Sequence, residues 1–424
     1  MTESKKSVAD YLVHDFTEPI RDPLWQHIYV SPAMKELISC PPFQKLGRIK
    51  QLGPAYHVYP GAVHTRLNHS LGVFHLSRKL LLALLGHDEF SGVGLEGARA
   101  FLAAALLHDL GHFPFAHSLK ELPLKEHESL TAEGVLSSPL RDTLRERVGC
   151  DPQRVAAIVD EHIETDDEEV LLFRRLLSGV LDPDKLDYLN RDAYFCGVSY
   201  GMQDTEFVFN KIVPHPDNGI AVEEAGLIAV ENILFSKYMM YKTVYWHRVV
   251  RIATAMIKQP IYSAMREGKI EPAELYWLDD EEFYRRFTPD RYRPFELLER
   301  TARRELLKTA WEGSFDPDDG EHRRLMDLEA RSTRQEQIAR RLSSRMQRTV
   351  NPWEVIIDIP EPISFEILLP VGEKEGFIPF PRTQSVFSGP AVEHFSRTLR
   401  KIRLFLPADA AALDFDGAAL LHGG

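Results

Sequence analysis

Cysteine is scarce in this chain of 424 residues. Cys40, Cys150 and Cys196 are too few for a disulfide framework and none stands in a CxxC pair, which excludes a disulfide-stapled scaffold and predicts a reducing compartment, the cytoplasm. Long apolar runs are missing as well. The longest, Ala100 to Leu107, falls far short of the roughly 20 residues that span a bilayer, so no membrane helix is expected. The opening MTESKKSVADYLVHDF has no apolar stretch followed by a small-residue cleavage site, which argues against secretion. Basic charge is in deficit: 51 Lys and Arg against 63 Asp and Glu leave a formal charge of -12. The average surface should therefore repel nucleic acid and anionic membranes, and any phosphate chemistry must rest on a local patch or a metal.

What is present is an ordinary globular core, 44% apolar, in a chain long enough for one large domain or two to three of average size. Residues 14–60 are broken by prolines and carry short β-prone runs, HIYV and YHVYP, which predict a small hairpin or cap. From Asn68 onward the Leu- and Ala-rich stretches HSLGVFHLSRKLLLALLGH and LEGARAFLAAALLHDLGH, bounded by glycines, predict buried helices. Helical patterning continues through DEEVLLFRRLLSGVLDPDKLDYLNRDAYF and an aromatic and methionine stripe near residues 235–246, with a short β-excursion at GIAVEEAGL. Residues 270–348 predict further helices, with 15 arginines between Glu281 and Val350. The alternation in WEVIIDIP, ISFEILLP and LRKIRLFLP predicts strands, and the tail ADAAALDFDGAALLHGG reads as a fraying terminus.

His108 and Asp109 end an apolar helix just before Leu110 and Gly111. A His-Asp pair is common by chance among 17 histidines, but burying both there is costly unless they are paired or bound to a metal. His112, His117 and His127 come next. Upstream, Arg66 and His69 stand three apart on one helical face; downstream, Asp184, Tyr188 and Asp192 recur at i, i+4 and i+8 with Lys185 beside them. Taken alone, that last set equally fits a helix capped by Asp182 and followed by a solvated charged face.

The ordered set His69, His108 with Asp109, and Asp184 resembles the H…HD…D signature of the HD-domain phosphohydrolases. KLGRIKQLGPAYHVYPGAVHTRLNHSLGV, HDLGHFPFAHSL, EHES and DPDKLDYLNRDAY are similar to the deoxynucleoside triphosphate triphosphohydrolase branch. The resemblance covers roughly residues 15–265 and, beyond that, implies only a variable, mostly helical C-terminal lobe; together with the residue patterns it predicts a mostly α fold: an N-terminal hairpin or cap over 1–60, an HD-domain helical core over 61–265, and a helical then α+β C-terminal lobe over 266–424. It implies one divalent ion (Mn, Fe, Ni, Zn or Mg) on His69, His108, Asp109 and Asp184. His112, His117 and His127 would line the phosphate pocket, His127 as proton donor with Glu128 as its orienter. Gln51 and Leu52 would wall the deoxyribose, Arg66, Lys185 and Lys237 would bind phosphates, and Tyr188, Asp192, Tyr245 and Trp246 would meet sugar and base.

Departures from the pattern carry information. Ser39 and Gly47 occupy positions where a human member of the branch builds an allosteric nucleotide site, so assembly here is not expected to need a nucleotide; Trp246 replaces a glutamine and Lys237 an arginine. A sterile-alpha-motif domain is not expected, since little chain precedes the resemblance. The implied partners are a nucleotide substrate and a second copy of the chain, as dimer or tetramer. Segment 331–348 has six arginines and one acid, which fits either a nucleic-acid patch or a helix ion-paired to an acidic neighbour. An HD-type enzyme acting on another phosphate compound and a non-catalytic nucleotide sensor are the competing readings; metal content and the products from a panel of nucleotides discriminate among them.

Overall fold

A computed structural model describes residues 3–422, apart from 89, 91, 364, 366, 374, 375, 388 and 415. The fold is mostly α-helical. After helix α1 (Glu3–His14), strands β1 (Glu18–Asp22) and β2 (Gln26–Val30) form an antiparallel hairpin in the register Glu18↔Val30 to Asp22↔Gln26. The second β-prone run, YHVYP, instead belongs to a 3-10 turn over Gly53–His57 and its exit: Pro54 lacks a ladder donor and sits at a first helical position, and the Tyr59 amide closes onto the Ala55 carbonyl at 2.9 Å.

Helix α2 (Arg66–Leu85) starts where Thr65 and Asn68 form a reciprocal capping box. It packs against α3 (Leu95–Leu107) and, further on, α7 (Pro183–Cys196). Between them come α4 (His127–Val135), α5 (Pro152–Val159) and α6 (Glu168–Leu177). The run from Asp167 to Phe195 breaks into α6 and α7 because Asp182 caps a fresh start and Pro183 takes its first position. Strands β3 (Ile212–His215) and β4 (Gly219–Glu223) form the β-excursion, followed by α8 (Leu227–Met240), a π-helical turn over Tyr241–Tyr245 and α9 (Arg248–Arg266).

The C-terminal lobe mixes helices with β5 (Lys308–Ser314), β6 (Ile356–Asp358), β7 (Pro370–Glu373), β8 (Gly376–Pro379) and β9 (Lys401–Leu406). Strand order β5-β9-β6 gives one antiparallel sheet; β3-β4-β7-β8 gives another, in which β4 and β7 run parallel and join the lobe to the helical core. Three expectations are corrected here. Strand β5 lies inside a stretch read as helical, because its partner, Lys308↔Leu406 onward, is remote in sequence and leaves no local signal. Among the described residues of ISFEILLP only Pro370 enters a strand, residues 364 and 366 being outside the description. The described residues of the tail are ordered rather than frayed: Ala408–Ala411 and Gly417–His422 are helical, pack against β5, and bury Ala410 and Leu421.

The apolar interior is divided. One core joins α2, α3, α5, α6 and α7 with Ile28 and Val30 of the hairpin. A second, separate core is built from Phe113, Phe115, Leu119, Leu122 and Leu130 on one side and Ile257, Leu275, Phe283, Phe287 and Phe295 on the other. The loop between α3 and α4 thus packs on residues C-terminal to the main helical core. Phe283 is fully buried and meets the Phe115 ring edge-on at 5.2 Å. Phe283→Ala should cost about 3 to 5 kcal/mol by loss of buried area and cavity formation, read as a lowered urea midpoint at unchanged slope.

Candidate active site

Helix α2 presents His69 one turn after its capped start, α3 delivers His108 at its C-cap with Asp109 next, and α7 presents Asp184 in its first turn. Their ligand atoms converge. His69 Nε2 lies 2.9 Å from Asp184 Oδ1 and 3.9 Å from Asp109 Oδ2; His108 Nε2 lies 3.8 Å from Asp184 Oδ1 and 3.5 Å from Asp109 Oδ1. Such separations suit neighbouring ligands of one ion with bonds of about 2.0 to 2.2 Å. His108 Nδ1 is turned to the Ala105 carbonyl at 2.9 Å, and its buried Nε2 has no hydrogen-bond partner, an orphan that a cation would satisfy. Two imidazoles and two carboxylates fit a borderline-hard divalent ion.

Burial alone would lower the His69 pKa, but the carboxylates of Asp184, Asp187 and Asp109 outweigh it and raise it to about 10. The Asp109 carboxyl is held well below its usual range against the cost of burial, by Arg66 first and then His112 and His108. Gly111 allows close backbone approach: a Cβ there would stand 2.2 Å from the His127 carbonyl oxygen. Its amide donates to Thr131 Oγ1 at 2.8 Å, and that hydroxyl donates to the His108 carbonyl at 3.0 Å, so α4 is stitched to the end of α3.

This stitching brings the remaining histidines beside the cluster. The His112 and His127 rings stack at 3.9 Å, and the His117 ring lies 4.8 Å from His112. His112 Nε2 is 3.2 Å from Asp109 Oδ1, and His127 Nδ1 is 3.0 Å from Glu128 Oε2. Burial lowers the His117 pKa to about 3 and that of His127 to about 4, so both rest neutral at physiological pH. Glu128 is pushed up, chiefly by burial.

Most of the other sequence-selected polar residues have partners within the fold. Arg66 is buried and donates to Asp109 Oδ2 at 2.6 Å. Lys185 donates to Asp182 Oδ2 at 2.8 Å and to the Gly179 carbonyl at 2.9 Å, while Asp182 also caps α7; the cap is as expected, but Asp192 is buried and does not lie on a solvated face. Lys237 is buried with its ammonium 5.7 Å from the Phe365 ring centre. Tyr245 donates to Asp192 Oδ2 at 2.7 Å, Trp246 meets Tyr241 edge-on, and Tyr188 is half-buried on the same helix as Asp192. Gln51 and Leu52 are half-buried, the Gln51 amide donating to the His64 carbonyl at 3.0 Å and its Oε1 lacking a partner.

Sequence reasoning missed the residues behind the ligands. Asp187, fully buried, accepts from His69 Nδ1 at 2.9 Å, from the Trp25 indole at 2.6 Å and from Arg191 at 2.8 and 3.0 Å. Arg191 in turn reaches Asp22 at 2.9 Å. A proton on His69 Nδ1 leaves Nε2 as the ligand atom, the usual role of a carboxylate behind a metal-binding histidine. A Cβ at Gly72 would stand 1.8 Å from Asp187 Oδ1, so α2 must be glycine where α7 delivers this carboxylate. His64 was missed too: its Nε2 lies 2.9 Å from Asp192 Oδ1. The i+3 spacing of Asp184 and Asp187 and the i+4 spacing of Asp187 and Arg191 were the available signals. Asp187→Asn should weaken divalent-ion affinity by about 10- to 100-fold, measured by metal titration of the metal-free protein.

Residues 66–194 match the family model described as the HD domain, and residues 209–378 match that of the HD associated region. The uncharacterized protein YwfO of Bacillus subtilis is 37% identical over 247 residues, covering 58% of this chain and 55% of that protein. The human deoxynucleoside triphosphate triphosphohydrolase SAMHD1 is 28% identical over 283 residues, covering 59% of this chain and 45% of that protein. The chain thus spans about half the length of the curated relatives it matches. A solved structure of a hypothetical protein from Aquifex aeolicus superposes with a TM-score of 0.70 at 28% identity, covering 92% of this chain and 97% of that one.

Proposed function

We propose that this chain, a member of the HD-domain superfamily, is a metal-dependent phosphohydrolase that cleaves deoxynucleoside triphosphates to deoxynucleoside and triphosphate. The convergence of His69, His108, Asp109 and Asp184, with the stacked His112 and His127 alongside, carries this reading. A bound divalent ion would polarise the α-phosphoryl group and lower the pKa of a water. His69 and His108 would offer Nε2, and Asp109 and Asp184 their carboxylates. Arg66, Lys185, Lys237, His112 and His117 would surround the phosphates, a local reversal of sign in a chain of net charge -12.

His127 rests neutral, so it acts as an acid only once substrate is present. The negative charge of a bound triphosphate raises its pKa, and Glu128 on Nδ1 leaves Nε2 to carry the transferable proton. Water oxygen ends on the α-phosphorus, the bond to the nucleoside oxygen breaks, and His127 protonates that leaving oxygen. Gln51 and Leu52 would wall off a ribose 2′-hydroxyl, while Tyr188 and Asp192 would hold the 3′-hydroxyl. Tyr245 and Trp246 complete the nucleoside side of the pocket.

Purified protein supplied with Mn²⁺ or Mg²⁺ should release intact triphosphate from deoxynucleotides and act much more slowly on ribonucleotides. Orthophosphate or pyrophosphate as the sole first product contradicts the reaction, and inactivity on every nucleotide in a metal-loaded sample favours the sensor reading. His127→Ala should lower turnover by about 10² to 10⁴ with metal content unchanged.

Self-association through the helical core is part of the same reading. Ile228 and Phe235, 60% and 46% exposed, lie seven residues apart on one face of α8, apolar side chains that a second copy would cover. Light scattering of nucleotide-free protein at micromolar concentration should find a dimer or larger; a monomer rejects the claim.

A further inference from the structure

Glu121 lies two residues beyond the Ala116–Leu119 turn that carries His117, outside the metal cluster and its histidines. Its side chain is 12% exposed and is held by two cations from elsewhere in the chain. Lys258 of α9 meets Oε2, and Arg331, at the start of helix α10 (Leu328–Met346), reaches Oε2 at 3.2 Å and Oε1 at 3.3 Å. Arg331 is itself fixed, donating through Nε to the Leu325 carbonyl at 2.8 Å. The arginine-rich segment is therefore ion-paired at this end: Arg331 holds Glu121 and Arg334 holds Glu321 at 2.8 Å.

The other anchors of this loop come largely from the same side. Phe113, Phe115, Leu119 and Leu122 pack into the second core, on residues after 256. The Lys125 amide donates to the Tyr276 hydroxyl at 2.8 Å, two residues before His127. Buried Lys45 donates to the His112 carbonyl at 3.2 Å and has its ammonium over the Trp277 ring. The metal cluster belongs to α2, α3 and α7, whereas the loop bearing His112 and His117 is braced chiefly by residues C-terminal to the main core.

We propose that Glu121 is a positioning residue: gripped by Lys258 and Arg331, it fixes the His117 loop against α9 and α10, so that α9 and the C-terminal lobe together set the geometry of the phosphate side of the pocket. The proposal rests on reading His117 and His127 as pocket residues. A hydrophobic contact alone would let the loop slide, whereas a bidentate guanidinium and an ammonium on one carboxylate fix position and orientation. Displacement of a pocket group by about 1 Å can cost about 10²-fold in rate.

The test uses full-length, metal-loaded protein and two variants. Glu121→Gln leaves two buried cations facing one neutral group and should lower the melting temperature; Glu121→Gln with Lys258→Met removes one of them and should recover part of that loss. Both variants should keep wild-type metal content, exchange amide hydrogens faster over residues 112–124, and lose about 10- to 100-fold in kcat on deoxyguanosine triphosphate. Unaltered exchange over 112–124 in the double variant overturns the proposal, whatever the activity. So does a double variant with wild-type kcat and KM. If the wild-type protein hydrolyses no nucleotide, the substrate reading falls, while faster exchange over 112–124 at constant metal content still supports Glu121 as the brace.

Discussion

The carboxylate of Asp187 is the constraint on which the rest of the site depends. It is completely buried, and a lone ionised carboxyl in that position would be too costly to keep. Arg191, His69 and the Trp25 indole together satisfy it, and Asp22 satisfies the far side of Arg191. Three elements are fixed by this one set of hydrogen bonds: the N-terminal hairpin, α2 and α7. Each must approach within bonding distance, and Gly72 is the position where α2 gives way. His69 and Asp184 come together because the elements carrying them are already locked within a turn of each residue.

Phosphate chemistry in an acidic chain requires that cations be concentrated locally, and the same cations must be stable before substrate arrives. Arg66 rests on Asp109 and Lys185 on Asp182 and a backbone carbonyl. His112, His117 and His127 solve the problem differently, remaining neutral through burial. A polyanion entering this pocket would meet cations that are already oriented and histidines ready to gain protons, so little reorganisation is left for the reaction itself.

The division of the interior into separate cores gives the two halves of the pocket different mechanical origins. The candidate metal ligands stand on helices of the main core, whose Phe101 and Phe173 rings stack at 4.8 Å in full burial. The histidine loop is held by the second core and by Glu121. Strand β7 pairing in parallel with β4 adds a further tie between the lobe and the helices. The C-terminal lobe is thereby part of the architecture around the site.

Much was legible in the sequence because it was periodic or local. Leu and Ala spacing gives α2 and α3, Asp182 marks a helix start, and the order of His69, His108, Asp109 and Asp184 singles out four residues that the fold gathers in one place. What the chain could not announce were relations between remote residues of ordinary type. Strand β5 exists because β9 pairs with it, and YHVYP is a turn because Pro54 and the Tyr59 amide favour closure over a ladder. Asp187, Arg191 and Asp22 look like any surface charges until packing excludes water from all three. Composition and spacing determined which residues could do chemistry; tertiary structure decided which were buried together, because desolvation, and hence pairing, is a property of the assembled interior and of no residue alone.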